Sequence, residues 1–291
     1  MFPLVGMVVV FASVLGGFTF AGGQIPVLFQ PAEFVVIGGA AIGALLLGTP
    51  PAVLRNLVRQ LPRLVTGGKT DQDYLDLLTM GFELLTVARR EGLVALEAHL
   101  EEPEKSPLLG RHPRFLADRR ALVFLTDTLE LFTSGVKLNE HELDGLLESD
   151  IEVQKEEEVR PARALMIMGD ALPGLGIVAA VLGIVVTMGH IDGPPAEIGH
   201  SVGAALVGTF LGVLLSYGLV QPIANNLAAK LHFEEAYVLV IKELLLALHR
   251  GANPSVAVEL ARRSLPAEVR PSAAALNKAC RAMKSGGEGA G

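Results

Sequence analysis

Small and hydroxyl side chains at helical spacing, inside otherwise apolar runs, are the residues of this sequence that could do chemistry. Ser201, Ala204, Ala205, Gly208, Thr209, Gly212 and Ser216 recur at three- and four-residue steps, and Gly176, Ala179, Ala180, Gly183 and Thr187 do so in the preceding run. On a helix each set shares one side. Glycine and alanine let two helices approach closely, which is the bland use of such a stripe. Hydroxyls added to it can line a narrow polar path between the same helices. A path for protons or sodium ions also needs an ionisable group near mid-membrane. The acids near these runs are Glu33, Asp170, Asp192 and Glu197, each at an end of a run or in a turn. The expectation is that the essential carboxylate comes from a partner's membrane helix. Pro173 lies four residues into one run and Pro222 at the end of the next, both near the level of Asp170. Each removes a backbone hydrogen bond and can kink its helix, so the pair marks a candidate hinge linked to ion passage.

Other chemistries find no support in the sequence. There is no glycine loop between a strand and a helix, no HExxH and no serine elbow, and the seven histidines have no ligand spacing. His190 and His200 flank the turn HIDGPPAEIGH, where water is their ordinary partner. The single cysteine, Cys280, can make neither an internal disulfide nor a cluster. The reading is a protein that is no enzyme and holds no metal or cofactor, a transported ion apart.

The elements that must position these residues follow from composition. Of 291 residues 51% are hydrophobic and 19% charged, with mean hydropathy +0.46, which is the profile of a multi-span membrane protein. Four runs, 3–21, 34–49, 169–189 and 199–221, are near the length a helix needs to cross the bilayer. No Lys or Arg falls in 1–54 or 164–229, and all 24 lie in 55–163 and 230–284. By the positive-inside rule both polar regions and both termini are cytoplasmic, and 22–33 and 190–198 are external turns. The fold expected is an all-α integral membrane protein: 1–52 carries transmembrane helices 1 and 2, 53–168 a cytoplasmic helical domain, 169–222 transmembrane helices 3 and 4, and 223–291 a cytoplasmic C-terminal helix and tail.

Amphipathic periodicity marks Asp71–Gly92, Phe115–Phe132, 140–160 and 232–249 as helices. From about Pro266 the tail, ending in SGGEGAG, reads as disordered. In ARREGLVALEAHLEEP, Arg89 and Glu97 would occupy adjoining faces of one helix if Gly92 lets it continue; by themselves they read as a solvated charged face.

Three stretches resemble the MotA/TolQ/ExbB proton channel family, and within it the MotA-type A subunits of bacterial flagellar stators: DALPGLGIVAAVLGIVVTMG from 170, GPPAEIGHSVGAALVGTFLGVLLSYGLVQPIA from 193 and ARREGLVALE from 88. The resemblance covers essentially the whole chain. It implies a homo-oligomeric ring, a pentamer, around a dimer of a MotB-like single-span partner whose helix carries the ion-accepting aspartate. It implies that Pro173 and Pro222 couple ion flow to conformational change, that Asp170 and Thr209 belong to the ion path with Thr187 nearby, and that Arg89 and Glu97 work against charged residues of the rotor protein FliG. Gly176, Gly183, Gly208 and Gly212 remain packing residues. Where sodium-driven relatives resemble one another in having threonine, this chain has Ala180, which favours protons. The implied location is the bacterial inner membrane. The alternative is an ExbB/TolQ-like energiser of an envelope complex, but those relatives resemble a three-span layout, and the extra span within 3–49 argues against it. A freestanding channel would need an internal charged site, which the four runs do not display.

Overall fold

The computed structural model describes residues 2–64 and 68–287, and among these every regular element is helical. The chain opens with α1 (Phe2–Phe20), α2 (Ile25–Leu28), α3 (Pro31–Gly48) and α4 (Pro51–Gln60). Next come α5 (Asp71–Glu91), the single turns α6 (Glu97–Leu100) and α7 (Pro113–Leu116), and α8 (Arg119–Thr133). The long helices α9 (Glu140–Met188), α10 (Pro195–Leu215) and α11 (Gln221–His249) follow, then α12 (Pro254–Ser264) and α13 (Ala273–Gly287). The chain divides into two compact units, residues 1–67 with 156–231 and residues 68–155 with 232–291.

The first unit holds the apolar segments. Four stretches are long and apolar enough to cross a membrane: Pro3–Phe20, Ile25–Gly48, and windows within Glu140–Met188 and Pro195–His249. One apolar cluster joins Ile37 and Ala41 of α3 to Leu172 and Ala179 of α9 and to Val207 and Leu211 of α10. A second joins Leu57 of α4 to Ala162 and Leu165 of α9 and to Ala224 and Leu227 of α11. Pro31, Pro51 and Pro195 each open a helix, where a missing N–H costs nothing.

Two boundaries differ from the sequence reading. The third run is no separate helix: α9 continues for 49 residues through Pro161 and Pro173. The fourth run does not end at Pro222 either, because a π-helical turn, Ser216–Val220, joins α10 to α11 and places Pro222 second in α11. Such π turns are short insertions within otherwise α-helical runs.

The second unit is a soluble-type helical core. Tyr74, Leu77, Leu78 and Leu85 of α5 pack with Phe124 and Leu129 of α8, Leu143 and Leu147 of α9, Tyr237, Ile241 and Leu245 of α11, and Val258 of α12. Tyr74 meets Tyr237 edge-on at 5.5 Å, and Lys69 lies 3.9 Å over the Tyr237 ring while pairing with Asp118 at 2.6 Å. Helix starts are set locally: Thr70 and Asp73 form a reciprocal capping box on α5, and Asp118 caps α8 through the Ala121 N–H.

The expected disorder of the tail is corrected. Residues 254–264 and 273–287 are helical, and Leu276 and Cys280 of α13 are buried in the same core. An Ala-rich sequence with apolar residues four apart needs only a partner face to become an ordered helix. The last residues of SGGEGAG, 288–291, lie outside the described residues.

Candidate ion-path and coupling site

Helices α9 and α10 touch through glycine. A Cβ at Gly176 would stand 2.7 Å from the Gly208 carbonyl oxygen and 3.0 Å from Gly212 Cα, and one at Gly212 would stand 2.6 Å from the Leu172 carbonyl. These obstacles are backbone and cannot swing aside, so here the stripe is a packing seam. Ala180 is buried on it and Thr209 half-buried beside it. Thr187 is buried and donates its hydroxyl to its own helix at the Gly183 carbonyl, 2.8 Å away.

At the other end of the seam lies a polar junction. Pro173 has no N–H for the carbonyl four residues back, that of Gly169. In its place the Ser216 hydroxyl, fully buried, donates to the Gly169 oxygen at 2.7 Å from the π turn of the neighbouring span. One residue on, Gln221 Nε2 donates to Asp170 Oδ1 at 2.6 Å, next to Pro222. Pro173, Asp170 and Pro222 are thus brought to one place, tied by two side-chain hydrogen bonds between spans. Ser216 read as a path residue in the sequence, but it is enclosed and its hydroxyl is spent on the gap that Pro173 leaves. Gln221 gave no signal beyond standing before a proline.

Glu33 stands where the sequence reading placed it along the helix, in the first turn of α3, but its side chain is enclosed. The apolar stretch begins at Ile25, breaks at Phe29 and Gln30, and resumes at Pro31. Its side chain is 8% exposed and reaches the α9–α10 seam. Oε2 lies 2.5 Å from where a Gly208 Cβ would be, and Oε1 3.5 Å from that of Gly183. Gly183 and Gly208 belong to the runs 169–189 and 199–221, so this carboxyl is packed between those two spans. Glycine at 208 serves carboxyl packing as well as helix packing. An acid enclosed among the spans is thus present, and the relatives decide between a stator subunit and a freestanding channel.

In the second unit, Arg89 and Glu97 are both exposed but do not share a helix. Gly92, at φ +89°, ends α5, and a 3-10 turn, Leu93–Leu96, precedes α6. Arg89 borders an open groove of about 500 Å³ whose lining includes Lys137, Phe132, Leu93, Val136 and His249. Glu97 does not line it. Elsewhere in this unit, His112 is 1% exposed and held between two acids, Asp76 at 2.9 Å on Nδ1 and Glu83 at 3.3 Å on Nε2. Burial by itself would lower its pKa, but these two carboxylates outweigh burial and raise it to about 9. Neither acid is near His112 in sequence, so spacing could not reveal the cluster.

Four apolar spans, a glycine seam with an embedded carboxyl, and a proline junction define a membrane protein of the ion-path class. Comparison with known proteins agrees. The model described as Motility protein A N-terminal matches residues 4–92, and that of the MotA/TolQ/ExbB proton channel family matches residues 124–238. Motility protein A of Salmonella typhimurium is 38% identical over 98% of this chain and 97% of its own length. The solved C. jejuni MotAB structure matches with TM-score 0.76 at 21% identity, over 93% of this chain and 98% of that one. The flagellar MotAB stator complex of Bacillus subtilis matches with TM-score 0.69 at 25% identity, over 92% and 96%. The chain belongs to the motility protein A branch of the MotA/TolQ/ExbB proton channel family. Its function is that of a flagellar motor stator subunit.

Proposed function

We propose that this chain is the ring-forming subunit of an inner-membrane stator that converts proton entry into torque. Both termini and the unit built from 68–155 and 232–291 face the cytoplasm, because every Lys and Arg lies outside the segments 1–54 and 164–229. A MotB-like single-span partner supplies the ion-accepting aspartate, as the pairing in the MotAB relatives suggests, and the ring is a pentamer. The observation that carries the coupling step is the junction of Pro173, Ser216, Asp170 and Gln221. A carbonyl left open by a proline and held by a side chain from the next span can be released without unwinding a helix. Protonation of the partner's aspartate alters its contact with the α9–α10 seam, the junction opens, and the movement passes along α9 and α11. Arg89 and Glu97, exposed on the cytoplasmic unit, then act on charged residues of the rotor protein FliG. Alanine at 180 favours protons over sodium.

The test is complementation of a strain lacking its own A subunit, with the cognate partner co-expressed. Wild-type protein restores swimming at a speed that follows the proton gradient and not external sodium. Pro173→Ala at equal membrane level leaves filaments intact and cells immotile; normal swimming of that variant would sink the coupling role.

A further inference from the structure

Glu33 has more around it than packing requires. Its Oε2 is buried and has no hydrogen-bond partner, an arrangement that favours neither a structural salt bridge nor a helix cap. Beside it, along the outer part of the same seam, lies a cavity of about 420 Å³, lined by Glu33 together with Thr187, His190, Glu197 and Ser201. The cavity stands at the end of the spans joined by the 189–194 turn, which in the orientation proposed above is the external face. A carboxylate taken out of water without a donor needs a cation beside it. On its packed side the carboxyl lies against Gly183 and Gly208. They add no side-chain oxygens to coordinate a metal ion, whereas a proton needs a single oxygen.

We infer that Glu33 is a proton-binding site of this chain itself, filled from the outer face through the vestibule of His190, Glu197, Thr187 and Ser201. The titratable groups that face it are His190, in the turn after α9, and Glu197, in the first turn of α10; Ala32 and Val36 flank it on α3 without charge. Hydronium gives its proton to Oε2, forming a neutral carboxylic acid and water. The bound proton then stands at the level of the seam, positioned ahead of the partner's acid. This rests on the stator reading for its direction but not for its chemistry.

The experiment uses the full complex of this chain with its partner in liposomes. Dicyclohexylcarbodiimide, an apolar reagent that attaches to protonated carboxyls, labels Glu33 in the wild-type complex, with an adduct that peptide mass spectrometry places at that residue and that declines as the medium is made alkaline. Infrared titration shows a protonated-carboxyl band that is lost in Glu33→Gln, kept in Glu33→Asp and indifferent to sodium. In cells, Glu33→Gln at wild-type membrane level loses speed several-fold in alkaline medium and regains it in mildly acidic medium. Absence of the adduct, survival of the band in Glu33→Gln, a sodium-sensitive band, or a speed profile parallel to wild type would each overturn the proposal. Labelling reads Glu33 whether or not the motor turns, so failed complementation with positive labelling would count against the stator reading alone.

Discussion

Replacing Ser216 by alanine takes away the donor that the Gly169 carbonyl receives in place of the N–H that Pro173 lacks. An enclosed carbonyl without a partner costs about 1–3 kcal/mol, while hydrogen bonds between membrane helices average about 0.6 and reach about 1.7. Ser216 is fully buried, so no water replaces its hydroxyl, and the expected cost is about 1–2 kcal/mol. The cost should depend on residue 173. In a Pro173→Ala background the new backbone N–H reaches Gly169, and Ser216→Ala should cost only about 0.5 kcal/mol. The predicted coupling is therefore about 1 kcal/mol, with the double variant more stable than the sum of the singles, a factor of about five in the equilibrium constant. Four proteins, wild type, each single variant and the double, are unfolded at equilibrium in mixed micelles and followed by helical circular dichroism. Additivity within about 0.3 kcal/mol would refute the idea that Ser216 compensates for the proline, and with it the idea that the junction is a releasable clamp.

Three further outcomes are expected. Gly176→Ala should destabilise the complex by about 1–3 kcal/mol through backbone overlap, seen as a lower melting temperature, whereas Gly174→Ala, whose Cβ would meet nothing within 4 Å, should be neutral or slightly stabilising. His112 has its pKa raised from 6.5 to about 9 on folding, so its contribution is complete below pH 6.5 and is lost as pH rises through about 9. It is worth about 3 kcal/mol at most, and the second unit should melt progressively lower across that window in the wild type but not in His112→Gln. Leu276→Ala should cost about 2–5 kcal/mol, because Leu276 is 2% exposed in the core; a thermal scan showing no change would mean that α13 does not dock.

Composition and the periodicity of apolar residues established a helical protein with four segments long and apolar enough to cross a membrane, because these properties are written in short windows of sequence. Nearby residues also fixed the start of α5 at Thr70 and its end at Gly92. The small-residue stripes were legible as stripes. Their use was not, since whether a glycine faces a backbone or a carboxyl depends on how far one helix is shifted along another. Glu33 shows the point: packing of α3 on α9 and α10 decides that its carboxyl lies beside Gly208. Ser216 and Gly169 are 47 residues apart, as are many pairs with no relation at all. Only the fold matches that hydroxyl to the one carbonyl a proline has left open. The tail teaches the converse, for α13 is weakly marked by its own residues and becomes a helix through the apolar face it covers.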